Sequence, residues 1–154
     1  MKVRPVIRSA VTADIPLLAA LVRQYWEFES IDGFATEAVA SLLARLIAEP
    51  GLGSIWVAAD GGGQLLGYLV AVHVFSLEQQ GLMAEIDELF VAPAARSGGV
   101  GAALLSVAQS DLAARGCVCL QLQLATDNSA ARGFYRRHGY RERTGYELLD
   151  KRLV

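Results

Sequence analysis

The spacing of apolar positions along the chain switches repeatedly between the helical period and the strand period. Val3–Val11 reads as a first strand, and Thr12 follows as an N-cap candidate with Asp14 in the first turn, where negative charge suits the helix dipole. Ile15, Leu18, Val22 and Tyr25 then recur at helical spacing as far as Glu29. Ile31–Ala35, with Gly33, reads as a loop. Val39, Leu42, Leu43, Leu46 and Ile47 mark a second helix, stopped by Pro50–Gly51. Three strands are predicted next, at Ser54–Ala59, Leu65–Phe75 and Leu82–Val91. Asp60–Gly61–Gly62–Gly63 turns between the first two, and Pro93, which has no ladder donor, closes the third. A glycine turn at Gly98, Gly99 and Gly101 opens a helix with Leu104, Leu105, Ala108 and Leu112 on one face, ended by Gly116. Val118, Leu120, Leu122 and Leu124 alternate with Cys119, Gln121 and Gln123, so Val118–Ala125 reads as a strand. Asn128–His138 is a short helix with Gly139 at the C′ position, and Tyr140–Leu149 reads as a last strand. The order β-α-α-β-β-β-α-β-α-β is a mixed α/β arrangement around one core.

Composition narrows this. A chain of 154 residues is one domain's worth, and no repeat or linker divides it, so residues 1–154 are expected to form a single domain. With 53% hydrophobic and 19% charged residues, disorder is excluded as the main state. The mean hydropathy of +0.34 makes a membrane span worth testing. The longest strongly apolar stretch, Leu65–Phe75, is interrupted by Gly67 and His73, well short of the about 20 residues a span needs. Met1–Val11 holds Lys2, Arg4 and Arg8 without a continuous apolar run, so no signal peptide is expected and the cytoplasm is the expected compartment. Cys117 and Cys119 lack the spacing of redox or zinc pairs and read as buried thiols. The net charge of −2 argues against a nucleic-acid binder. It hides a split: residues 1–95 hold 5 basic and 11 acidic groups, and residues 96–154 hold 9 basic and 5 acidic groups. That division reads as chance scatter or as an anion-binding half and a cation-binding half.

Arg96-Ser97-Gly98-Gly99-Val100-Gly101 lies between a strand and a helix. No GK[ST] follows, and the GxGxxG spacing is absent, so neither common nucleotide-binding loop is present. Converging backbone N–H groups, a helix N-terminus and Arg96 suit a phosphate or pyrophosphate; a plain glycine turn with a surface arginine fits equally well. His73 and His138 have no partners at metal-ligand spacing, so no metal site is expected. No Ser-His-Asp or Cys-His arrangement supports a covalent nucleophile.

Arg96, Gly99 and Gly101 fill the pattern Q/R-x-x-G-x-G/A, and the turn resembles the acyl-CoA signature of the GNAT superfamily of acetyl-CoA-dependent N-acetyltransferases. Upstream, Glu85-Ile86-Asp87-Glu88-Leu89-Phe90-Val91-Ala92-Pro93 is similar to the family's fourth strand. Downstream, Asn128-Ser129-Ala130-Ala131-Arg132-Gly133-Phe134-Tyr135 and then Gly139-Tyr140 are similar to its second motif. The resemblance implies a mostly antiparallel central sheet flanked by helices on both faces. It implies an acyltransferase with acetyl-CoA as donor, an amine as acceptor, no metal, and a pairing into homodimers seen in many relatives. By the same resemblance the backbone of Arg96, Ser97, Gly98, Gly99, Val100 and Gly101 holds the pyrophosphate. Leu89, Phe90 and Val91 pair with the pantetheine arm, and the Leu89 N–H faces the thioester oxygen. Asn128 contacts the cofactor, and Tyr135 protonates the leaving thiolate. By periodicity alone Tyr135 belongs to a packing stripe with Ala131, Phe134 and His138.

Three acids crowd one strand. Strict alternation puts Glu85, Asp87 and Leu89 on one face and Glu88 on the other. Asp87, then Glu85, are candidate bases for the amine, and Glu88 is a substrate ligand or a salt-bridge partner. All three could also be purely structural. Trp26, Phe28 and Phe34 line the acceptor pocket or fill the core. The acids at Glu27, Glu29, Asp32 and Glu37 with Glu85–Glu88 point to a cationic amine such as a polyamine, an aminoglycoside or an amino-acid derivative. A protein N-terminus or lysine, or a non-catalytic acyl-CoA sensor, are the alternatives.

Overall fold

The computed structural model describes residues 4–154, so the Val3 end of the expected first strand and Lys2 lie outside the described residues. The chain divides into two compact units, the first ending at Leu122 and the second running Gln123–Val154.

The first unit holds β1 (Val6–Ser9), α1 (Ile15–Phe28), α2 (Thr36–Ala48), β2 (Gly53–Ala59), β3 (Leu65–Ser76), β4 (Gly81–Val91), α3 (Val100–Ala114) and β5 (Cys119–Leu122). Single 3-10 turns at Thr12–Asp14 and Pro93–Ala95 lead into α1 and toward α3. The five strands lie in sequence order in one sheet. β1 to β4 are antiparallel neighbours, and β5 runs parallel to β4. The parallel step follows from α3, since a helical crossover returns the chain to the same end of the sheet.

Alternation along β2 and β3 separates two apolar layers. Ile55, Val57, Ala59, Tyr68 and Val70 pack with Leu18, Leu21 and Val22 of α1 and Val39 and Leu43 of α2. Trp56, Ala58, Leu69 and Ala71 face the other way, toward the side occupied by Leu104, Leu105, Ala108 and Leu112 of α3. The Trp56 indole donates to Asp111 on α3 at 2.7 Å. Gly67 lets β3, β4 and α3 meet: a Cβ there would lie 2.6 Å from the Phe90 carbonyl oxygen. Helices therefore cover both faces of the sheet, as expected.

Several expectations are corrected. Thr12 does not cap α1. The Asp14 carboxylate instead accepts the Val11 N–H at 2.8 Å and both arms of the Arg8 guanidinium at 2.7 and 2.8 Å. Asp14 directly precedes α1 but bonds none of its N–H groups, because its carboxylate is committed to Arg8 and to the start of the 3-10 turn. Leu42 is 64% exposed and takes no part in the α2 core face. Cys117 and Cys119 are free and half-buried rather than buried, and burial pushes the Cys117 thiol up.

In the second unit α4 spans Ser129–Arg137, and Asn128 caps it by accepting the Ala131 N–H at 3.1 Å. Gly139, at φ 86°, follows the helix end as expected. The strand expected at Tyr140–Leu149 does not form. Residues 141–149 are exposed throughout, and Glu142 is drawn to Arg132 and Arg136 on α4. Without a ladder partner the backbone groups of this segment gain nothing from an extended pairing, and no strand forms. The observed order thus ends at α4.

Candidate active site

The site begins with a register slip. Val70 pairs with Glu88 and Ala71 with Ile86, so Asp87 is an extra residue, a β-bulge in β4. The bulge overturns the facing expected from strict alternation. Glu85 pairs with Val72 and Glu88 with Val70, which puts both glutamates on the face covered by α1 and α2. Leu89, opposite Leu69, faces the α3 side.

The three acids therefore have different surroundings. Glu85 accepts from the Gln121 amide of β5 at 2.8 Å. Glu88 is half-buried; its Oε2 accepts from the Trp26 indole at 2.9 Å and its Oε1 from the Tyr68 hydroxyl at 2.9 Å. Burial raises its carboxyl, the two bonds oppose the rise, and the charge of Asp87 adds to it. The Asp87 side chain is exposed, and among the described residues no donor bonds it. Partial desolvation, then the charge of Glu85, raises its carboxyl. Tyr25 of α1 stacks edge-on to Phe90 at 6.0 Å. Its phenol is pushed well up by burial and by Glu88, Glu29 and Asp87. The Tyr68 phenol is pushed further still, by burial and then Glu88.

The β4–β5 ladder ends at Ile86–Leu122, so β4 beyond the bulge is laddered to β3 alone. The Ala92 N–H reaches back to the Leu66 carbonyl at 2.8 Å. Strand alternation then turns the N–H groups of Leu89 and Val91 toward the outer edge.

The chain leaves that edge through the glycine turn. Gly99 sits at φ 79° as the residue before α3, and a Cβ there would meet nothing within 4 Å. Ser97 is also left-handed, at φ 62°, a conformation that costs a non-glycine residue energy. The Ala103 N–H takes the Gly99 carbonyl, so those of Val100, Gly101 and Ala102 precede the first intrahelical bond. Such donors at a helix start suit an anion. Arg96 does not aim its full side chain there. Its Nε donates to the Val91 carbonyl at 3.0 Å, and its guanidinium lies over Phe28 at 5.2 Å and Phe90 at 5.4 Å.

The aromatic candidates separate. Trp26 reaches Glu88 and stacks edge-on with Phe34 at 5.7 Å, and both are half-buried. Phe28, 62% exposed, meets Arg96 instead. Tyr68 and Gln121 were not anticipated as site residues, since each looks like one more position in a strand; only the cross-strand register brings them to the acids. In the second unit Tyr135 is half-buried and stacks edge-on with Phe134 and Tyr140, each at 5.2 Å. Asn128 commits its side-chain oxygen to the α4 cap, leaving its amide N–H groups as donors. His73 Nδ1 lies 3.2 Å from the Gly51 carbonyl and His138 Nδ1 lies 2.8 Å from that of Phe134. Among the described residues no group of three His, Cys, Asp or Glu side chains could hold a metal ion. No helix among them is long and apolar enough to cross a membrane.

A five-stranded, mostly antiparallel sheet opened past a bulge in β4, and followed there by orphan amides at a helix start, is the architecture of an acyl-transferring enzyme. The model of the acetyltransferase (GNAT) family matches residues 18–140, and the chain belongs to that family. It is 35% identical over 140 residues to the uncharacterized N-acetyltransferase YhfO of Bacillus subtilis strain 168, covering 91% of this chain and 92% of the relative. Among solved structures it resembles an integron cassette protein from the mobile metagenome of Cole Harbour Salt Marsh. That match has a TM-score of 0.82 and 31% identity, over 96% of this chain and 90% of the other. A predicted acetyltransferase of Clostridium acetobutylicum, solved with acetyl-CoA, shares the fold at a TM-score of 0.78 and 16% identity, covering 95% and 96%.

Proposed function

We propose that the chain transfers an acetyl group from acetyl-CoA to a primary amine, a cationic small molecule, by direct attack in a ternary complex. The observation that carries this reading is the bulge: it sets an exposed carboxylate with a raised proton affinity beside a strand edge whose Leu89 and Val91 N–H groups face outward. Residues 1–154 are read as one catalytic domain acting in the cytoplasm.

Acetyl-CoA fits what is present. The N–H groups of Val100, Gly101 and Ala102, behind a turn with open space at Gly99, suit a pyrophosphate. The outer edge of Leu89–Val91 suits an extended amide arm, which would add as a strand. The bound fold neighbour from Clostridium acetobutylicum supports the donor assignment.

An ammonium acceptor gives a proton to Asp87 through water. The freed lone pair attacks the thioester carbon, and the Leu89 N–H stabilises the oxygen as charge develops on it. The C–S bond breaks on collapse, Tyr135 protonates the sulfur, the nitrogen's second proton passes through water to the Tyr135 oxygen, and Asp87 releases the first to solvent. Net, the ammonium and acetyl-CoA give the N-acetyl product, CoA thiol and one proton to solvent. Glu85, bonded to Gln121, acts through its charge on Asp87 rather than as the first proton acceptor.

The test is release of CoA thiol across a panel of polyamines, aminoglycosides, amino-acid derivatives and peptides, with controls lacking acceptor. Transfer to a cationic small amine supports the reading; acetyl-CoA binding without transfer to any member would make the chain a sensor. With a working acceptor, Tyr135→Phe is expected to lower kcat by about 10²-fold or more while changing the Kd for acetyl-CoA little.

A further inference from the structure

Arg96 opens the glycine turn, yet its side chain folds back from it onto β4 and α1. Its Nε donates to the Val91 carbonyl at 3.0 Å. Its guanidinium lies 5.2 Å from the ring centroid of Phe28, the last residue of α1, and 5.4 Å from that of Phe90. Among the described residues no carboxylate pairs with it. A full positive charge is therefore parked over two neutral rings, next to helix amides that suit an anion. The exposed Phe28 has no other ring or ion contact among the described residues.

The bond to Val91 matters because of where that carbonyl points. The Ala92 N–H returns to Leu66 of β3, so the N–H and the carbonyl of Val91 both face the outer edge. An amide arm that adds there as a strand needs that donor and that acceptor. A side-chain nitrogen 3.0 Å from an outward carbonyl lies off the edge itself, in the lane the arm takes. We propose that Arg96, latched by Phe28, determines donor specificity: it closes the lane along Val91 to thioesters without phosphate and yields it to thioesters that carry a pyrophosphate. This rests on the acetyl-CoA reading above. Any arm must displace the guanidinium, so its apparent affinity falls with the fraction of chains that are already unlatched. A pyrophosphate on the amides of Val100 and Gly101 offers the released guanidinium a charged partner. A thioester that ends at the pantetheine hydroxyl offers none. The latch thus acts against the short donor and not against the long one.

The test is calorimetric titration of the full chain with two donors, acetyl-CoA and S-acetylpantetheine, which lacks every phosphate. In Arg96→Ala the Kd for S-acetylpantetheine is expected to fall about three-fold or more, while that for acetyl-CoA rises about five-fold. An S-acetylpantetheine that fails to tighten, or an acetyl-CoA that fails to weaken, overturns the proposal. Phe28→Ala keeps the charge and loosens the latch, so S-acetylpantetheine should tighten about two-fold. No change there removes Phe28 from the device. The latch is also read without any ligand. The Arg96 Nε–H, bonded to Val91, should exchange with solvent about three-fold faster or more in Phe28→Ala, and unchanged exchange overturns the latch. Failure of acetyl-CoA to bind the unsubstituted chain would overturn the proposed function and the donor selectivity with it, while the exchange measurement would still decide whether Phe28 holds Arg96.

Discussion

Asp87 and Glu88 are adjacent in sequence, yet the fold gives them opposite environments. One is exposed and unbonded among the described residues; the other is half-buried between an indole and a phenol. A proton acceptor must be reachable and must bind protons more tightly than a free carboxylate does, and Asp87 meets both conditions. A base works in its ionised form, so if Asp87 holds the proposed role, its raised carboxyl should make activity climb with pH through a limb above the usual carboxylate value of about 4. Asp87→Asn is expected to lower kcat/KM by about 10²–10⁴-fold and to remove that limb, measured by thiol release from about pH 4 to 9. A limb that survived the substitution would move the base to Glu85. The acids themselves were legible from residue types. Their facing was not, because a single extra residue reverses the side-chain alternation that follows it.

At the scale of elements, the entry to α1 shows the same competition between local rules and tertiary partners. Thr12 has the right chemistry for a cap, but it lies within the 3-10 turn, and Asp14, the residue before α1, spends its carboxylate on Arg8 of β1. The arginine bond, then the Val11 N–H, holds the Asp14 carboxyl below the usual carboxylate range. A lowered value in the folded state means that the contribution is fully present above the unfolded value and is lost as pH falls through the folded one. Asp14→Ala should therefore lower Tm by about 2–8 °C at pH 7. The gap from the unsubstituted protein should begin to narrow below about pH 4, where the unfolded state binds the proton, and close only as the folded state binds it too. Thermal unfolding at pH 7, 4 and 3 checks both statements. The helices and most strands were legible because each buries one face at its own period. The strand expected at Tyr140–Leu149 does not form, since residue types that tolerate an extended backbone cannot supply a ladder partner.

Across the whole molecule the charge split acquires a location for each sign. The acids of the first 95 residues include the β4 trio and Glu29, whose field reaches Tyr25. The basic excess begins at Arg96, where the glycine turn begins. A pyrophosphate held as proposed on the helix amides that follow Arg96 should feel screening. Raising NaCl from about 0.05 to 0.5 M is expected to raise the KM for acetyl-CoA about 2–5-fold. A cationic acceptor should show a rise of its own, read by varying each substrate at fixed saturating levels of the other. A flat acetyl-CoA response would mean that short-range backbone donors act alone.

The sequence by itself determined the alternation of helices and strands as far as α4 and the glycine turn at the start of α3. These depend on local period, on the φ freedom of glycine and on the absence of a proline donor, all of which are written in neighbouring residues. Tertiary structure alone decided which acid is exposed, which is anchored, and which side of β4 stays open. Those outcomes depend on register between strands far apart in the chain, where Val70 meets Glu88 and Ile86 meets Leu122. Register is a sum of many weak cross-strand preferences, and a slip of one residue changes every facing beyond it, so no short window of sequence contains it.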